Sequence, residues 1–368
     1  MRQLASVQKI ESLSPIKGKD RIELARIQGW DVIVGKGTHK VGDLVVYIQY
    51  DTVLPERPEF EFLRSRCWNK RYKGFRIRNM SMAGVFSQGI VFPTSILIKD
   101  SYKEGKDVTD ELGVIRYAPE ELFENSKSNN NQSGLYRFFM RYGWFRKLFG
   151  KTWKEKKGKF PENIKKTDEN NVQAVFNSLP KDHTWTVTEK IEGQSVTCSV
   201  ESIKLGFFTK RDYKVFSRNC FVGEGASNWG KVSKKYNIKQ KLLKEKTKYT
   251  IQGEIAGPGI QKNIYGLPEL TLFVFSVIET DTGYKLPYDL MIELCDKWGL
   301  RYVPIISTGF TLPETSDELI LMSNGSSVVE NDHKQIREGV VFRSEQNPRL
   351  SFKARSPEYL KWWDKKGI

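Results

Sequence analysis

The stretch Trp185-Thr186-Val187-Thr188-Glu189-Lys190-Ile191-Glu192-Gly193 joins a short β-prone run to a charged turn. Residues 185–187 read as a strand. The glycine then closes a turn in which one lysine stands between two glutamates. Lysine and glutamate near a turn glycine are common on protein surfaces, so this pattern alone carries little. Its weight comes from a series of motifs downstream. Ser217-Arg218-Asn219 comes after a Phe/Val-rich strand, and Gln252-Gly253-Glu254 after a strand at 249–251. Phe273-Val274-Phe275 lies within another strand. Glu338-Gly339-Val340-Val341-Phe342 leads to Ser351-Phe352-Lys353-Ala354-Arg355. From about 161 onward, short helices and strands mix as they do in an α+β domain.

Upstream the pattern changes. Residues 1–97 hold short runs of Val, Ile and Tyr (VIVGKGT, DLVVYIQY, GIVFP) between Gly, Pro and Asp turn signals, which predicts a small β-barrel. Arg64, Arg66, Lys70, Arg71, Lys73, Arg76 and Arg78 crowd one stretch together with Trp68, Tyr72 and Phe75. Such a mixture suits a surface that tracks a nucleic-acid backbone and stacks bases, and it equally suits an exposed loop with a few core aromatics. Residues 98–160 read as a connector with a polar run at 125–133. A basic segment occupies 137–166, with a helix expected near 135–149 and a lysine run facing phosphates.

Composition narrows the partner and leaves the reaction open. Sixty Lys and Arg against 44 Asp and Glu give a net charge of +16, which favours a polyanion such as nucleic acid. Mean hydropathy is −0.51, and no run of 18 apolar residues predicts a membrane span. The N-terminus lacks the apolar core of a signal peptide. Cys67, Cys198, Cys220 and Cys295 show no CxxC spacing; they read as free thiols in a reducing compartment, with no zinc site. A cytoplasmic monomer is the expectation.

The ordered set from Lys190 to Arg355 resembles the lysine nucleotidyltransferases: ATP-dependent RNA ligases, DNA ligases and capping guanylyltransferases. The resemblance implies that Lys190 attacks the α-phosphate of ATP as a neutral amine. Nearby cations, Lys353 and a Mg²⁺ or Mn²⁺ ion among them, would favour that form. It assigns phosphate stabilisation to Lys353 and Arg355, and a phosphate or ribose grip to Arg218. Glu254 and Glu338 would hold ribose hydroxyls or the metal, with Glu338 counted among the catalytic residues. Phe275, preferred over Phe273, would stack on adenine, while the backbone at Glu189 would read the adenine edge. Glu192 and Gly193 complete the nucleotide-binding turn. Two positions depart from the family pattern here: Glu192 replaces the usual Asp, and Lys353-Ala354-Arg355 replaces a pair of lysines. The final motif therefore has two possible registers, Ser351/Lys353 and Lys353/Arg355.

DNA ligases and capping enzymes carry an OB domain after the last motif. Only residues 356–368 come after it here, so neither branch is expected. With a β-rich module in front, the chain resembles the fifth RNA ligase family, an N-terminal OB fold joined to a nucleotidyltransferase domain. Further matching landmarks are His39-Lys40-Val41-Gly42-Asp43-Leu44, Leu54-Pro55, Ser87-Gln88-Gly89, Phe160-Pro161, Lys166-Thr167-Asp168-Glu169 and Gln173. Asn171 stands where that family tends to show arginine. The resulting expectation is an OB-like barrel over 1–97, a connector over 98–160 and an α+β nucleotidyltransferase domain over 161–368. It would seal 3′-OH and 5′-phosphate RNA ends, in a nicked or broken duplex or in transfer RNA. A DNA ligase-like enzyme lacking its second domain and a catalytically silent nucleic-acid-binding protein are the alternatives.

Overall fold

The computed structural model describes residues 3–82, 84–98, 101–117, 160–167, 169–205, 208–218, 220–225, 227–329 and 335–365. The chain folds as an N-terminal β module followed by an α+β module. The expected helix near 135–149 and the lysines of 151–159 lie outside the described residues.

The first module is built from short antiparallel strands. Leu44–Ile48 is central, flanked by Ala5–Lys9 and Ile90–Pro93. Its side chains alternate between two cores. Val46 and Ile48 face a cluster with Val7, Phe60, Phe75 and Phe92, whereas Val45 and Tyr47 face one with Trp30, Val32 and Tyr50. Both faces being covered explains why this strand reads as an unbroken apolar run rather than an alternating one. Ser12–Pro15, Ile22–Ile27 and Trp30–Gly35 form a meander. Thr52–Pro55 pairs with Gly74–Ile77 on one side and with Ile115–Arg116 on the other. Strand structure of the module thus continues to residue 116, past the expected boundary at 97.

The cation- and aromatic-rich stretch at 64–78 divides in two. Phe75 is fully buried, with Trp68 edge-on against it at 5.3 Å. Arg64 lies 4.2 Å from the Trp68 ring centroid and pairs with Glu56 and Glu61. Trp68 and Phe75 thus belong to the packing of the barrel. Arg66, Lys70, Arg71, Lys73 and Arg78 remain exposed.

The second module contains two five-stranded sheets. One runs in the order Asn170–Asn171, Ser351–Arg355, Gly339–Ser344, Thr184–Glu189, Ile305–Thr311. The other runs Phe208–Phe216, Gln194–Leu205, Tyr249–Ala256, Thr271–Glu279, Tyr284–Lys285. Helix Tyr288–Trp298 packs on the second sheet through Tyr288, Met291, Cys295 and Trp298, spaced along one helical face, and Gly299 ends it with a φ of 58°. Thr315 and Glu318 form a capping box on helix Ser316–Met322. The final helix, Pro357–Lys365, packs against Asn79–Met82 of the first module. Among the described residues no helix is long and apolar enough to cross a membrane.

Candidate active site

Lys190 sits where the chain leaves one sheet for the other. Strand Thr184–Glu189 ends with Glu189 opposite Val340, and the Lys190 amide donates to the Gly339 carbonyl at 3.0 Å. The Glu192 amide then donates to the Tyr265 hydroxyl at 2.8 Å, and the chain enters strand Gln194–Leu205. A Cβ at Gly193 would lie 2.3 Å from the Ile255 carbonyl oxygen, so only glycine lets the turn pass this close to the neighbouring strand. The geometry presents Lys190 to a cleft of about 270 Å³ between the sheets.

A ring of buried charge surrounds the amine. Lys190 Nζ lies 2.5 Å from Glu338 Oε2, while Arg355 Nε lies 3.3 Å from Glu338 Oε1. Glu338 is only 3% exposed. Burial alone would push its carboxyl up, but Lys190 and Arg355 together hold it below the usual carboxylate range. The opposite holds for Glu192, which burial and the neighbouring Glu338 charge push up. The Tyr359 hydroxyl of the final helix donates to Glu192 Oε2 at 3.3 Å. Burial also raises the Glu254 carboxyl, which accepts a hydrogen bond from Ser195 Oγ at 2.9 Å. Arg218 donates to that same hydroxyl at 3.5 Å.

Glu189, Lys190, Glu192, Gly193, Arg218, Glu254, Phe275, Glu338, Lys353 and Arg355 all line this one cleft. Phe275 is half-buried and faces it, whereas Phe273 is packed in the core. The Glu189 carboxylate is turned to a neighbouring loop, accepting from Ser327 Oγ at 2.6 Å and the Val328 amide at 2.7 Å. Lys353 and Arg355, opposite Val341 and Gly339 in the ladder, share the cleft-facing side of their strand. Ser351 instead donates to Glu169 at 2.6 Å. Asn171 is buried outside the cleft, where its Nδ2 donates to Gln49 of the first module at 3.4 Å.

Arg343, Tyr288 and Asp51 are among the cleft residues that escaped the sequence reading. Arg343 donates to the Phe275 carbonyl at 2.6 Å and stacks on Tyr288 at 4.5 Å. A lone arginine two residues after Val341, in an otherwise apolar strand, was its available signal. Tyr288 donates to Thr188 Oγ1 at 3.3 Å. Asp51 arrives from the first module and accepts from Arg355 Nη1 at 3.4 Å.

Comparison with known proteins agrees with this arrangement. Residues 4–94 match a family model described as an OB-fold domain, and residues 183–355 match the RNA ligase family model. Residues 183–355 form an RNA ligase domain. The match runs from just before the Lys190 strand to Arg355 and includes every site residue expected from the sequence. Solved structures of Naegleria gruberi RNA ligase superpose over nearly the whole chain. An apo variant is 26% identical, with 99% of each chain covered and a TM-score of 0.79. The same ligase with PPi is 25% identical over 99% of this chain and 100% of that one, at 0.79. A variant with AMP and Mn is 25% identical over 98% and 99%, at 0.77. No curated protein sequence gives a significant match. The ligase is therefore an OB-fold module followed by an α+β catalytic module.

Proposed function

We propose that this RNA ligase seals 3′-OH and 5′-phosphate RNA ends with ATP, through a covalent adenylate on Lys190. The observation that carries the reading is the convergence of Lys190, Glu338, Lys353 and Arg355 in one buried cleft, with Phe275 and Arg218 on its walls. The Naegleria structures with ATP, AMP, PPi and Mn support it. The module order supports placement in the fifth RNA ligase family, with the first module running to about residue 116.

In the first step the Lys190 amine attacks the α-phosphorus of ATP. A P–N bond forms, the α–β phosphoanhydride breaks, and pyrophosphate leaves. Lys190 must be a neutral amine to attack, so its pairing with Glu338 has to open and its proton passes to solvent. Lys353 and Arg355 carry fixed positive charge into the cleft where negative charge develops on the phosphate. In the second step an oxygen of the RNA 5′-phosphate takes the AMP, and Lys190 regains a proton. In the third, the 3′-hydroxyl attacks the adenylated 5′ phosphorus: a phosphodiester bond forms, the bond to AMP breaks, AMP departs and the hydroxyl proton passes to solvent.

Among the described residues no three Asp, Glu, His or Cys side chains form a ready metal cage. Magnesium suits such a site, since it is commonly held by one or two carboxylates, waters and substrate phosphates. Glu254 and Glu338 are the residues that would hold it. A bound divalent ion would supply charge neutralisation on the phosphates. The exposed cations of 66–78 would track the RNA backbone, which predicts binding that weakens steeply with salt. The four free cysteines support action in a reducing compartment, and we read the enzyme as a monomer.

The test is to supply ATP, Mg²⁺ and a nicked duplex with an RNA 3′-OH and a 5′-phosphate. Sealed strand and a transient 5′-adenylated strand are expected. A protein that binds the nick and yields neither product is not a ligase.

A further inference from the structure

Arg355 is held from two sides, by Glu338 of its own module and by Asp51 of the OB-fold module. Its Nε lies 3.3 Å from Glu338 Oε1, and its Nη1 donates to Asp51 Oδ2 at 3.4 Å. The Tyr50 ring sits 5.5 Å from the guanidinium carbon. Asp51 is itself firmly placed. Its amide donates to the Ile77 carbonyl and its carbonyl accepts from the Tyr117 amide, both at 2.9 Å. Its φ of 57° is a conformation that Asp and Asn tolerate better than most residues. Arg76, stacked over Tyr117 at 3.6 Å, approaches the other carboxylate oxygen at 3.8 Å.

We propose that Asp51 is a positioning residue for adenylate transfer, drawing one arm of the Arg355 guanidinium away from Glu338. A guanidinium freed of Asp51 can close on Glu338 through two parallel hydrogen bonds, the geometry carboxylates favour. It would then turn its fork from the cleft, where negative charge develops on the phosphate. The OB-fold module thereby sets the geometry of the nucleotide step as well as offering a surface to RNA. This inference rests on Lys190 being the adenylated residue.

The experiment measures single-turnover formation of the protein–AMP adduct at saturating ATP and Mg²⁺ on the full chain. Asp51→Asn keeps the backbone angle and removes the charge, and Asp51→Gly takes that angle without strain. Both are expected to slow adduct formation about tenfold, the loss of one charge-assisted hydrogen bond at the reacting site. In an Arg355→Lys background, Asp51→Asn should add less than about twofold, because one ammonium cannot be forked between two carboxylates. A merely structural role for Asp51 would make the two losses multiply. Parental rates in both Asp51 variants, multiplying losses in the double variant, or loss of the fold in both Asp51 variants would overturn the proposal while leaving the ligase reading intact. Absence of adduct on the parent protein would overturn both.

Discussion

Two clusters of charge, one around Arg64 and one around Glu338, look alike as partner sets and differ in where they sit. Arg64 pairs with Glu56 and Glu61 on the surface of the first module, and all three are at least 40% exposed. Glu338 pairs with Lys190 and Arg355 in the cleft and is 3% exposed. Water screens the first set, which contributes little to stability. The second set is taken out of water at a cost that apolar packing would avoid, and such clusters persist where chemistry needs the charge. Charge count therefore does not separate the two regions; burial does.

Replacing Glu338 breaks the buried set and should have the largest effect. Glu338→Ala leaves Lys190 and Arg355 facing one another without a carboxylate, and about 3 kcal/mol of stability is expected to be lost. Burial still raises the Glu192 carboxyl, but without the Glu338 charge beside it Glu192 would ionise more readily and offset part of the loss. Adduct formation should fall by about 10²-fold or more. Denaturant melts and single-turnover labelling measure the two effects, and parental behaviour in both would mean that Glu338 serves neither the fold nor the chemistry.

Gly193→Ala sharpens the comparison without touching charge. The added methyl must move the turn or strand Tyr249–Ala256, because its Cβ would meet the Ile255 carbonyl. A displacement near 1 Å at Lys190 should slow labelling by about 10²-fold. A rate within about twofold of the parent would show that the turn does not set the position of the amine. The smallest effect belongs to Arg64→Ala, expected to leave the labelling rate within about twofold of the parent. A large loss there would show that the barrel's surface charges reach the chemistry by a route other than Asp51.

Much of the site was legible because its residues come in a fixed order on short strands, and each strand brings its polar residue to a cleft-facing position. The turn from Thr188 to Gly193 carried little alone, and Glu254, Glu338 and Lys353 gave it weight by following it in order. Phe273 and Phe275 would share a face of a regular strand; they are told apart by the bulge at Phe275, left unpaired between Val274 and Ser276, which sets it at the cleft. Ser351, Lys353 and Arg355 share one face of the last strand; Lys353 and Arg355 line the cleft, while Ser351 is bonded to Glu169. Asp51 was illegible for a different reason: its partner Arg355 lies 304 residues away, and only the docking of the two modules brings them together. In the barrel, Trp68 resembled a stacking platform by composition, but Arg64 and Phe75 already occupy its ring.

The most direct test of the account is where AMP becomes attached. The protein, freed of bound nucleotide, is incubated with α-labelled ATP and Mg²⁺ or Mn²⁺, denatured and digested, and the labelled peptide is sequenced by mass spectrometry. The account predicts one AMP on Lys190 and no label on Lys190→Ala. A label on another residue, or none on the folded parent, would contradict it.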